Sequence, residues 1–180
     1  MKLSVIVLLL LIYYLHSKSK ITNKMISVRS TIDQKYYTII KSKNKNDDIG
    51  KANILAKINF KIQTLISSLS MSNSKQLLKE ASIKLEERTD KTYIAYTVNK
   101  GDSIGLCIEN DENTLFFIVL HELAHVITKE KGHTETFWKN FEFLVKQAIK
   151  MKLYDYSNYN KTPVTYCKKE ISYSPNIVSK

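Results

Sequence analysis

Leu115-Phe116-Phe117-Ile118-Val119-Leu120-His121-Glu122-Leu123-Ala124-His125-Val126-Ile127-Thr128, with Gly132-His133-Thr134-Glu135-Thr136-Phe137-Trp138 close behind, decides how this chain is read. The apolar run is long enough for a buried helix, and it contains His-Glu-x-x-His. Residues at i and i+4 of a helix stand one above the other, so His121 and His125 offer both rings to a single ion. Glu122 then falls beside that ion rather than on it, where a carboxylate can take a proton from water. Three of the four histidines in the chain lie between positions 121 and 133. Burying two imidazoles and a carboxylate on so apolar a helix is costly without a partner, and a metal ion removes the cost.

A catalytic zinc takes three protein ligands and leaves one position open to water. His121 and His125 supply two, and His133 is the natural third, because Gly132 turns the chain just before it and a second amphipathic segment starts just after. Glu135 or Glu142 on that segment is the alternative third ligand. His16, beside the apolar N-terminus, is not a candidate. The expected content is one Zn2+ per chain.

These residues carry a family resemblance. His121-Glu122-Leu123-Ala124-His125, then Gly132-His133-Thr134 and the aromatic pair Phe137-Trp138, resemble the SprT-like and WLM (Wss1-like) zinc metallopeptidases over roughly residues 93 to 145. Thr128 and Lys131 occupy the positions where a metzincin carries glycine and histidine. The resemblance implies a minimal zincin-like α+β fold with a small, mostly antiparallel sheet packed on the active-site helix and flanking helices. It also implies zinc and hydrolysis of peptide bonds. Some family members act on DNA–protein crosslinks, and through them the resemblance makes DNA-bound protein one implied substrate.

At 180 residues the chain supports one domain, here 25–180, with an N-terminal appendage. Hydrophobic residues make up 43% and charged ones 25%, enough for a real core, while four glycines and two prolines argue against a loop-rich fold. The net charge is +11, and residues 18–61 hold eleven Lys/Arg against Asp33, Asp47 and Asp48. That region suits nucleic acid or anionic lipid, or is simply a solvated lysine-rich face. No arginine-rich or glycine-aromatic nucleic-acid motif accompanies it. Cys107 and Cys167 show no metal spacing; they either pair or stay reduced in the core.

Residues 3–15 are a continuous apolar run within a 1–17 segment, followed by lysines in an 18–24 linker. Thirteen residues is short for a span of about 20, yet no small-residue cleavage site follows. An uncleaved single-pass membrane anchor is the expectation, with a cleaved secretory signal as the alternative. Val28–Ile32 and Tyr36–Ile40 read as strands, 41–51 as a charged loop, and 52–69 as an amphipathic helix. Residues 75–88 read as a weaker helix or extended insert. Tyr93–Val98 and Ser103–Ile108 form a hairpin, and by analogy with zincins one of the two, Ser103–Ile108 ahead of Tyr93–Val98, carries an extended peptide. Asn113 or Thr114 caps the long helix. A further helix from about Thr136 to Leu153 buries Phe137 and Trp138. The tail from Tyr154 onward reads as an irregular wrap holding five tyrosines, of which Tyr166 is the candidate oxyanion donor.

The sequence thus points to a zinc-dependent metalloendopeptidase tethered by its N-terminus. Its rivals are a non-catalytic zinc-stabilised membrane or virion scaffold and a DNA-recruited protease.

Overall fold

The computed structural model describes residues 24–69, 73–90, 92–175 and 177. The expected 1–17 anchor, and the 18–24 linker apart from Lys24, lie outside them. Strands β1 (Met25–Arg29) and β2 (Tyr36–Ile40) pair antiparallel, Met25 opposite Ile40 and Arg29 opposite Tyr36. β1 begins three residues before the expected strand and ends before Ser30. Beyond it the Ser30 N–H still reaches Lys35 O at 2.9 Å, and the turn is held to α1 where Ser30 Oγ and Thr31 N–H donate to Asn53 Oδ1.

Helix α1 (Lys45–Ser68) starts inside the stretch expected to be a loop. Asn44 caps it by accepting the Asn46 N–H at 2.9 Å, and Asp47 and Asp48 sit in the first turn, where the helix dipole favours negative charge. One face buries Leu55, Ile58, Ile62 and Leu65 completely against β1, β2 and β3. Each such side chain contributes about 1.5–3 kcal/mol on leaving water. The 75–88 stretch resolves into the end of α2 (Asn73–Glu80) followed by β3 (Lys84–Glu87).

β4 (Ala95–Val98) and β5 (Ser103–Leu106) form the expected hairpin, and the five strands lie in the order β1-β2-β3-β5-β4. The sheet is mixed rather than mostly antiparallel. β2–β3 run parallel because α1 and α2 carry the chain back across the sheet between them, and β3–β5 because the chain first passes through β4, antiparallel on the outer side of β5. β5 is therefore interior and β4 is the edge. Gly105 on β5 is dictated by its partner: an added Cβ would come within 2.4 Å of the Tyr96 ring.

Helices α3 (Glu112–Ile127) and α4 (Glu135–Lys150) pack on each other, with α3 also against β4. Asp111 caps α3, rather than Asn113 or Thr114, by accepting both their N–H groups. The tail is more ordered than expected. It contains a hairpin, β6 (Val164–Tyr166) with β7 (Lys169–Ile171), whose turn residue Cys167 is disulfide-bonded to Cys107. Among the described residues no helix is long and apolar enough to cross a membrane.

Candidate metal centre

α3 is buried on nearly every side, and that burial sets the state of its polar residues. His121, His125 and His133 converge, each offering one nitrogen, with all three nitrogens within 4.8 Å of one another. The ring centroids form a triangle with sides of 5.0, 4.9 and 5.0 Å. His121 is 9% exposed, His125 is half-buried and His133 is exposed, so the cluster runs from the core out to solvent. Phe137 lies under all three rings, at 4.8, 4.4 and 4.7 Å from His121, His125 and His133. Trp138, expected in the core, instead stands half-exposed beside His133 with its ring centre 6.0 Å away.

Burial and the neighbouring imidazoles hold His121 at a pKa of about 3. Burial, then His133 and Lys100, hold His125 at about 4. Both are therefore neutral bases at ordinary pH, the form that binds metal. His121 and His133 bring their Nε2 atoms to 3.0 Å, while the buried Nδ1 of His121 has no hydrogen-bond partner. Imidazole nitrogens directed at one point suit a cation between them, and three such nitrogens suit zinc. The donor set fits. Glu135 and Glu142, the alternative third ligands, are not among the converging groups and pair instead with Lys139 and Lys146 along α4.

Glu122 is 7% exposed, and its Oε2 accepts a hydrogen bond from Thr97 Oγ1 at 2.7 Å. Burial pushes its pKa up to about 7, against the lowering effect of Thr97. A dication alongside would draw that value down. Thr97 belongs to β4, so the edge strand holds the carboxylate. The two form part of the wall of an open cleft of about 540 Å³, with Tyr93, Ala95, Tyr96, Lys100 and the three histidines.

The pairing of β4 shows which backbone groups face that cleft. Cys107 N–H bonds to Ile94 O, which makes Ile94–Cys107 a hydrogen-bonded pair and, by alternation, Tyr96–Gly105 and Val98–Ser103 too. The N–H and C=O groups of Ala95 and Thr97 consequently point off the sheet edge. The expectation that Ser103–Ile108 receives peptide is corrected on this ground. β5 is paired on both sides, with β3 and β4, whereas β4 has its outer edge free of ladder partners among the described residues.

Tyr166 is placed elsewhere. Its hydroxyl accepts from Glu109 N–H at 3.1 Å and donates to Cys107 O at 3.3 Å, pinning the β6–β7 hairpin to the segment ahead of α3. The tail tyrosine that does meet the cluster is Tyr173, its ring 5.2 Å from that of His121 and packed on Phe117. Burial, with the nearby Glu122, raises its pKa. Nothing in the local sequence separates Tyr173 from the other four tail tyrosines. Within the basic 18–61 region, Lys51 and Lys57 are engaged by Glu87 and Glu112.

No family model matches the chain. It is 31% identical to protein R325 of Acanthamoeba polyphaga mimivirus over 180 residues, 90% of this chain and 89% of that one. It is 38% identical to protein 136R of Invertebrate iridescent virus 6 over 96 residues, 48% of this chain and 50% of that protein. With protein 042R of Invertebrate iridescent virus 3 the identity is 43% over 68 residues, 34% and 42% of the two chains. None of the three viral names states an activity. Among solved structures, Wss1 from Saccharomyces cerevisiae is similar with a TM-score of 0.45 and 20% identity, over 64% of this chain and 88% of Wss1.

Proposed function

The chain belongs to the family of the mimivirus protein R325, and we propose that it acts as a zinc-dependent metalloendopeptidase of the SprT-like/WLM kind. The observation that carries this reading is the junction of three features. Three imidazole nitrogens converge, a buried carboxyl follows the first of them in the helix, and a free strand edge holds that carboxyl through Thr97. A purely structural zinc site uses four protein ligands and has no need of such a carboxylate.

His121, His125 and His133 hold the metal. Zinc in that position supplies Lewis acidity toward water and toward a carbonyl oxygen. The outward backbone groups of Ala95 and Thr97 bind an extended substrate as an added strand, which lays its scissile bond along the cleft. Glu122 takes the proton of the attacking water on its carboxylate and delivers it to the departing amine. Thr97 Oγ1 holds Oε2, which leaves the other carboxylate oxygen to move that proton. The aromatic layer under the rings keeps water out beneath them and fixes their tilt.

The test is zinc content together with cleavage of unfolded casein. One zinc per chain and cleavage that Glu122→Gln abolishes without loss of zinc would support the reading; zinc bound with no protein cut would favour a scaffold. The proposal includes a membrane tether through residues 3–15, and extraction of the full chain by alkaline carbonate would refute that part. Contact of the remaining basic residues of 18–61 with nucleic acid or anionic lipid is proposed only as a salt-sensitive surface effect.

A further inference from the structure

The turn joining β4 to β5 is built at a conformational cost. Asn99, Lys100 and Gly101 are all left-handed, with φ of 45°, 58° and 115°. Glycine adopts that region freely, while a lysine rarely does. The conformation aims the Lys100 ammonium across the cleft at the end of α3. It donates to Thr128 O at 2.5 Å, His125 O at 3.3 Å and Glu130 O at 3.4 Å. The first two belong to the end of the helix that carries two of the imidazoles. The third belongs to the short loop that leads to His133.

From the α4 side the same helix end is already closed. Asn140 Nδ2 donates to Thr128 Oγ1 at 2.9 Å and to Ile127 O at 3.4 Å, and Thr128 Oγ1 donates back to Ala124 O. Lys100 adds a tie from the strand. The loop it grips is exposed from Lys129 to His133, with Gly132 at φ 81°, and a further side-chain tie comes from α4, where Thr136 Oγ1 donates to Glu130 Oε1 at 3.1 Å. His133 thus takes its position opposite His121 from the path of that loop together with its ring contacts to Phe137 and Trp138. At the other end of the tie, Lys100 stands three residues beyond Thr97, which holds Glu122 and offers the strand edge.

We propose that Lys100 is a positioning residue that locks the His133 loop to strand β4. Metal retention and peptide engagement are thereby coupled. A strand docked on β4 steadies the Lys100 turn and, through it, the third ligand; by linkage the bound metal strengthens peptide binding by the same factor. The coupling rests on the peptidase reading, because it takes β4 as the substrate strand. A mere helix cap at Lys100 would stabilise the fold and leave the two events independent.

The experiment uses the full chain in a Glu122→Gln background, so that unfolded casein binds without being cut, and reads the rate at which zinc passes to a chromogenic chelator. Lys100→Met should release zinc about 10- to 100-fold faster, the range typical of partners that orient ligands. Casein should slow release severalfold in the parent and have no effect in Lys100→Met, and Lys100→Arg should restore both properties. Release at the parent rate from Lys100→Met overturns the proposal. Faster release with casein protection intact reduces Lys100 to a cap and overturns the coupling. If casein is cut by the Glu122 protein yet protects nothing in the parent, the coupling is wrong although the peptidase reading stands. Casein neither cut nor protective is a failure of the peptidase reading, and the coupling falls with it. Should Lys100→Met not fold, as judged by circular dichroism, Lys100→Gln is read by the same rates.

Discussion

α1 and α3 border the same core yet treat their polar residues in opposite ways. α1 buries one face, where Asp48 near its start accepts the Ser42 N–H, and leaves the other to water, with Phe60 68% exposed and its lysines in solvent, in ion pairs or, for Lys61, over the Phe116 ring. α3 is buried from Thr114 through Ala124 without a break, so its polar groups must be matched from within the protein. Thr114 bonds to Asp111 and Tyr159, and Glu122 bonds to Thr97. His121 Nδ1 has no such partner. A helix able to place polar residues in water carries no information in them. On α3 each one needs a reason, and the two that an inert core would not keep are the histidine and the glutamate of the motif.

The largest effect expected from breaking this contrast is at Glu122. Glu122→Gln keeps shape and hydrogen-bonding capacity but removes the base, so casein hydrolysis should fall by about 10³-fold or more while zinc stays at one per chain. Loss of zinc in that variant would mean that Glu122 serves the fold rather than the chemistry. The dry packing around α3 gives the next effect. Phe117, fully buried among Phe141, Tyr154, Tyr159 and Tyr173, should cost about 3–5 kcal/mol on replacement by alanine, measured by urea unfolding.

The comparison is sharpened by pH. In the metal-free chain burial holds His121 at about 3 and His125 at about 4, below their ordinary 6.5, and raises Glu122 from 4.5 to about 7. Between those ordinary values the unfolded chain carries two imidazole protons that the folded chain lacks, and the folded chain carries one carboxyl proton that the unfolded chain lacks. The unfolded state thus binds more protons, and stability rises with pH across that window. Above 6.5 the histidine difference fades and the Glu122 difference takes over, favouring the unfolded state as pH rises, so the melting temperature of the chelator-treated chain should peak between pH 6.5 and about 7. A melting temperature that falls steadily from acid to neutral pH would mean that the histidines are not held neutral by burial.

The sequence revealed α3 and the three histidines because both signals are local: an unbroken apolar run, and a spacing of four on one helical face. The hairpin of β4 and β5 was equally legible from Asn99-Lys100-Gly101-Asp102, but which of its strands is the edge was not. That is decided by the parallel pairing of Lys84–Glu87 with Ser103–Leu106, a contact between distant segments that leaves no periodic trace. Tyr173 and Lys100 were missed for the same reason. Each resembles its neighbours in the chain and acquires a role only when the tail or the turn is folded against the end of α3. The start of α1 is a different case, because a signal was present. Asn44 followed by Asp47 and Asp48 in the first turn is the pattern of a capped helix start, hidden by the density of lysine around it.

That cap supplies the smallest effect and a control on the others. Asn44 Oδ1 accepts the Asn46 N–H, one of the donors at the start of α1 that has no partner within the helix. Replacing Asn44 with alanine returns that N–H to water and should cost about 1 kcal/mol of stability. The site is remote in the sequence from α3, and α1 contributes none of the converging nitrogens. Zinc release and casein cleavage by Asn44→Ala should therefore match the wild type at temperatures where both are folded, even though the melting point drops. If this variant lost zinc as readily as a change beside His133, general loosening of the fold would explain the effects assigned to α3, and the contrast between the two helices would lose its functional meaning.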